Sequence, residues 1–167
     1  MLLRADHEPF PHWEAAVIPT PGTSPFAGQP VPGSISLVIA DDEAPIRMVV
    51  GEKLRAAGII VHEARDGEEA LELARKHNPV GVVTDLQMPY MNGLELCTAL
   101  KADPATCHIP AVLLTARGHV LTDEMLARTN IIRTMSKPFG VRDLLAFVQE
   151  KLVPAGLAAR TPVSEAA

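Results

Sequence analysis

A chain of 167 residues with 47% apolar side chains has enough material for one ordinary domain with a real core. Its net charge of -5, with no cluster of lysine and arginine, argues against nucleic acid binding through this domain. No apolar run reaches membrane-spanning length, and the start MLLRADHEPF lacks a signal-peptide core.

In chain order, the first segment is dense in proline: Pro9, Pro11, Pro19, Pro21, Pro25, Pro30 and Pro32. Prolines remove backbone donors and restrict their neighbours, so residues 1–33 are expected to form an extended or disordered leader. A first strand is expected over Ile35–Ala40. Pro45 suits the first turn of a helix that places Ile46, Val49, Val50 and Leu54 on one face, and Gly58 sits where it would stop. Ile59–Ala64 reads as a second strand. Asp66 with Glu69 three residues on predicts a capped helix carrying Ala70, Leu71 and Ala74, which Asn78-Pro79 ends. Val80–Thr84 is the third strand and Leu94–Ala102 the third helix. After Pro110 come a strand over Ala111–Leu114, a helix near Val120–Thr129 and a strand over Ile131–Met135. The last helix, Val141–Val153, buries Leu144, Leu145, Val148 and Leu152. Residues 154–167, rich in alanine, are expected to be a disordered tail.

Five apolar strands alternating with helices over residues 34–153 indicate an α/β fold with a parallel sheet covered on both faces. The right-handed crossover rule then favours a doubly wound arrangement. In such a sheet, ligands bind at the carboxyl edge of the strands. That edge collects Asp41, Asp42 and Glu43 after strand one, Asp85 after strand three, Thr115 after strand four, and Ser136-Lys137-Pro138 after strand five. Each has a plainer explanation when taken alone. Asp85 could be a turn former and Asp41-Asp42 a helix cap, while Lys137 could be a solvated side chain. Their convergence on one edge is harder to explain that way. Like charges at about 4 Å repel by about 4 kcal/mol at an effective dielectric of about 20. Lys137 offsets part of this, and a hard divalent cation with oxygen ligands, magnesium, would offset the rest.

The ordered set Asp41-Asp42, D-L-Q-M-P-Y-M-N-G from Asp85, Thr115-Ala116 and Lys137-Pro138-Phe139 resembles the receiver domain of bacterial response regulators, the chemotaxis-type fold. The resemblance covers about residues 35–153 and implies the flavodoxin-like strand order 2-1-3-4-5. It implies that Asp85 is the phosphoacceptor, receiving a phosphoryl group from a sensor histidine kinase or phosphotransfer protein. It further implies magnesium held by Asp42, Asp85 and the backbone carbonyl of Gln87, with Asp41 acting through a water. Lys137 would contact a phosphoryl oxygen and Thr115 would supply the switch hydroxyl, with Gln87 and Arg117 flanking the phosphoryl position. Signalling would leave through a downstream protein on the face made by helix four, strand five and helix five.

On this basis the chain is expected to be a cytoplasmic single-domain response regulator rather than an enzyme, with no nucleic acid or membrane partner. The rival is a receiver-like scaffold that is never phosphorylated. A phosphatase using an aspartyl phosphate needs an acid two residues after the nucleophile, where this chain has Gln87. One position departs from the family pattern: Thr134 stands where an aromatic residue usually couples to the switch threonine. His62, His77, His108 and His119 are read as surface residues with no common site. Cys97 and Cys107, without metal-ligand spacing, are read as reduced structural thiols.

Overall fold

The computed structural model describes residues 35–116 and 121–160. The expected leader, Arg117, His119 and residues 161–167 lie outside the described residues.

Five strands form one parallel sheet: β1 (Ser36–Ala40), β2 (Ile60–Ala64), β3 (Gly81–Asp85), β4 (Ala111–Ala116) and β5 (Ile131–Lys137). Their order is β2-β1-β3-β4-β5, as the resemblance implies. The helices are α1 (Ala44–Ala56), α2 (Gly67–His77), α3 (Gly93–Ala102), α4 (Asp123–Ala127), α5 (Val141–Phe147) and α6 (Val153–Arg160). Because successive strand residues point to opposite faces, the apolar runs in β1, β3 and β4 serve two cores at once. Leu37, Ile39, Val83 and Leu114 pack with Val50 and Leu54 of α1 and Leu144 of α5. Val38, Ala40, Val82 and Ala111 pack with Ala70 and Ala74 of α2 and with Leu96 and Leu100 of α3. Each fully buried leucine contributes roughly 1.5–3 kcal/mol of transfer free energy.

Local signals account for most helix ends. Pro45 lies in the first turn of α1, and Gly58 follows that helix at φ +81°, a conformation that suits glycine. Asp66 caps α2 by accepting the Glu69 N–H, while the Glu69 carboxylate accepts from Arg65 N–H. Asn78 ends α2 in the left-handed region at φ 44°. A full capping box opens α3, with Asn92 and Glu95 each accepting the other's backbone N–H. The sequence carries that signal as Asn92-x-x-Glu95.

Three expectations need correction. Residues 154–160, expected as part of the tail, are helical. α5 runs through a π-helical turn at Val148–Leu152 and continues as α6, with Gly156 seated against Val80. A Cβ at Gly156 would lie 1.7 Å from the Val80 carbonyl oxygen, so only glycine permits this approach. α4 is shorter than expected, and none of its residues is buried. The histidines are not all separate: the rings of His62 on β2 and His77 on α2 stack with centroids 3.8 Å apart.

Candidate functional site

β4 and β5 run further than their apolar runs suggested, so Thr115, one residue before the end of β4, and Lys137, the last residue of β5, lie within strands rather than loops. The register places Leu114 beside Asp85 and Ala116 beside Lys137, with Thr115 between them along β4. Thr115 is buried.

The two acids at the floor of the site are deeply placed: Asp41 is 0% exposed and Asp85 5%. Lys137 Nζ lies 2.9 Å from Asp85 Oδ1 and donates to Asp41 Oδ2 at 3.0 Å. The remaining oxygens accept backbone N–H groups, Asp41 Oδ1 from Glu43 at 2.9 Å and Asp85 Oδ2 from Gln87 at 2.9 Å. Asp85 is thus both turn former and partner in a charge cluster, one role on each oxygen. Asp41 divides its oxygens in the same way.

Burial pushes the Asp85 carboxyl above the usual carboxylate range. The hydrogen bond and charge of Lys137 oppose that rise without cancelling it, and the charge of Asp41 adds to it. For Lys137, burial pulls downward, but the hydrogen bonds and charges of Asp85 and Asp41 win and raise the ammonium above its ordinary value. An ion pair by itself would lower the acid and raise the base. Only the second happens, so desolvation outweighs pairing at Asp85.

Gly93 holds the Asp85 backbone in place. Its N–H donates to the Leu86 carbonyl at 3.0 Å, and a Cβ there would fall 2.1 Å from the Asp85 carbonyl oxygen. The first turn of α3 can therefore press against the end of β3 only because residue 93 lacks a side chain.

Asp42 is exposed beside this cluster. The N-cap residue of α1 is Glu43, which makes no side-chain capping hydrogen bond, while Asp41 Oδ1 accepts the Glu43 N–H. Among the described residues, no three His, Cys, Asp or Glu side chains lie together in a group that could hold a metal ion. The donor chemistry nevertheless fits magnesium, which takes one or two carboxylates and completes its shell with backbone oxygen and water. Asp85, Asp42 and the Gln87 carbonyl would be that set, with Asp41 behind them.

Thr134 pairs with Leu113 and is exposed on edge strand β5. A register shift between Ala111 and Val112 marks an irregularity in the β4–β5 ladder that the sequence did not signal. Beside Lys137, an apolar groove of about 460 Å³ runs between α1 and the β5–α5 connection, lined by Ile46, Val49, Pro138 and Phe139. The sequence reading also missed Arg47, whose guanidinium lies against the backbone of Asp41 and Asp42.

The family model for the response regulator receiver domain matches residues 37–149. The chain is 36% identical over 114 residues to the transcriptional regulatory protein PdtaR of Mycobacterium tuberculosis, covering 68% of this chain and 54% of that protein. The chain spans about half the length of the curated regulators it matches. Among solved structures, the chemotaxis response regulator CheY4 of Vibrio cholerae superposes with a TM-score of 0.63 at 28% identity. That match covers 70% of this chain and 97% of the other. The receiver domain of sensor histidine kinase PA1611 from Pseudomonas aeruginosa PAO1, solved with a magnesium ion in its active site cleft, shares the fold. Its TM-score is 0.61 at 22% identity, covering 71% of this chain and 98% of that one.

Proposed function

The chain belongs to the response regulator receiver domain family of two-component signalling, and from that premise we propose that Asp85 accepts a phosphoryl group in a magnesium-dependent reaction. The observation that carries this reading is the placement of two buried carboxylates, Asp41 and Asp85, on the single ammonium of Lys137 at the carboxyl edge of the sheet.

An Asp85 carboxylate oxygen attacks phosphorus, the bond from phosphorus to the histidine nitrogen of the donor breaks, and the imidazole leaves with the electron pair. The product is an acyl phosphate on Asp85. Magnesium, when bound, neutralises charge on the phosphoryl oxygens. Lys137, 2.9 Å from Asp85 Oδ1, would move from Asp85 onto a phosphoryl oxygen. The Thr115 hydroxyl, one residue past Leu114 on β4, would hydrogen-bond another such oxygen and so act as the switch. The hydrogen bond from Gln87 N–H keeps the Asp85 carboxylate oriented while its charge changes.

The donor must reach Asp85 from the open carboxyl edge. The apolar groove between α1 and the β5–α5 connection adjoins Lys137 and, at about 460 Å³, would receive apolar side chains of a histidine kinase or phosphotransfer protein. Val49, 47% exposed, sits on its rim. Output would leave through α4, β5 and α5 to a partner protein. With Thr134 in place of an aromatic residue, the movement of Thr115 would not be relayed by rotation of a ring at that position.

Intact mass after incubation with acetyl phosphate and magnesium tests the acceptor. One phosphoryl gain is expected in the wild type and none in Asp85→Asn or without magnesium. Equal gain in Asp85→Asn would remove Asp85 from the role. Failure of the wild type both to gain mass and to bind beryllium fluoride would favour an unphosphorylated scaffold.

A further inference from the structure

Arg47 has an unusual set of partners for a residue on the first helix. Its Nη1 donates to the backbone carbonyls of Asp41 at 2.6 Å and Asp42 at 3.1 Å. Its Nε lies 3.9 Å from Glu63 Oε2 on β2. Glu63 Oε1 is held in turn by Arg55 Nη2 at 2.7 Å. Arg47 therefore ties three elements together: α1, the turn after β1, and edge strand β2. Its side chain is only 17% exposed, so the guanidinium is packed rather than waving in solvent.

The choice of carbonyls as partners has a chemical consequence. A cation placed among acids would ordinarily pair with carboxylates and compete with any metal for them. Arg47 instead fixes the backbone of both acidic residues and leaves the Asp42 carboxylate unspent. The planar guanidinium fork can hold two adjacent carbonyl oxygens through one nitrogen while its Nε faces Glu63. The ammonium of lysine, a point charge on a flexible stem, cannot reproduce that geometry.

We propose that Arg47, oriented by Glu63, is a positioning residue for divalent cation binding, holding the Asp41-Asp42 turn so that Asp42 faces the cation. This inference rests on the magnesium-dependent reading above. It runs against simple electrostatics, and that makes it testable. A positive charge near the site repels magnesium, so if charge were its whole effect, removing Arg47 would tighten binding. If position dominates, removing it weakens binding. Changing a residue that orients a metal ligand typically costs ten- to a hundredfold in affinity.

The experiment is calorimetric titration of the full chain with magnesium chloride, for wild type, Arg47→Ala, Arg47→Lys and Glu63→Gln, with circular dichroism to check folding. The expected result is a dissociation constant raised about tenfold or more in Arg47→Ala and Arg47→Lys, and less in Glu63→Gln. Unchanged or tighter binding in Arg47→Ala would overturn the proposal, as would full rescue by lysine. Should Arg47→Ala not fold, the lysine and Glu63→Gln variants decide in the same directions. A wild type that binds no magnesium would defeat the magnesium-dependent function itself. A wild type that binds, alongside variants that bind equally well, would defeat only the role of Arg47.

Discussion

Lys137 and Asp41 meet at 3.0 Å although 96 residues separate them in the chain, and the same ammonium lies 2.9 Å from Asp85. Strands one, three and five thus converge on one charge. The two acids it serves are buried, so their mutual repulsion is poorly screened by water.

Lys137→Ala should therefore destabilise the fold as well as impair the chemistry. Breaking a fully buried ion pair costs about 3–5 kcal/mol, and Lys137, itself partly solvated, should cost less than that. Magnesium should recover part of the loss, because an ion held by Asp85 and Asp42 would restore positive charge near the two buried acids. Urea unfolding with and without magnesium checks this. A larger magnesium-induced stabilisation in the variant than in wild type is the expected outcome.

Gly93→Ala tests the approach of α3 to β3. The added methyl would meet the Asp85 carbonyl oxygen and Leu113 Cδ1, so the helix start or the strand end must shift. A loss of roughly 1–3 kcal/mol is expected from such overpacking. Phosphoryl acceptance from acetyl phosphate should fall too, since the displaced atoms belong to Asp85. An unchanged unfolding midpoint would show that the loop yields without strain.

Val49→Asp separates donor docking from chemistry. Val49 lines the groove that Lys137 also borders, and it is not one of the residues assigned to the chemistry. Transfer from a phosphorylated histidine kinase should slow at least tenfold, while mass gain from acetyl phosphate stays at the wild-type level. Equal slowing with both donors would point to damage at the site rather than to a docking surface.

His62 gives the fold a pH dependence. Burial lowers its pKa, and the charges of His77 and Lys76 lower it further. The folded state thus binds the proton less readily than the unfolded chain, whose histidine titrates near about 6.5. The contribution of His62 to stability is whole above that value and is lost as pH falls from there toward the lower folded pKa. Melting temperature measured between pH 5 and pH 8 should rise with pH through this window. His62→Gln should flatten the rise, and an identical slope in the variant would assign the effect elsewhere.

The acids and the lysine were visible in the sequence because each closes an apolar run, and a parallel sheet sends all such ends to one edge. The order of strands and the proposed phosphoacceptor role of Asp85 came from the family resemblance that these residues and the D-L-Q-M-P-Y-M-N-G string carry. The stop at Gly58 and the cap at Asp66 were legible for a local reason: their partners lie within four residues. Arg47 was not, because its partners are backbone carbonyls, and a carbonyl leaves no mark in a sequence. The His62–His77 stack was hidden similarly, since it depends on how the end of α2 meets edge strand β2. The helical course of residues 154–160 was missed because Pro154 and a run of alanine resemble a tail; Gly156 against Val80 makes it a packed element. Sequence alone, then, determined which residues could do the chemistry, since periodicity and turn residues are local properties. Tertiary structure decided which oxygens Lys137 binds, what Arg47 holds and how far Asp85 is desolvated, because these depend on distances between segments far apart in the chain.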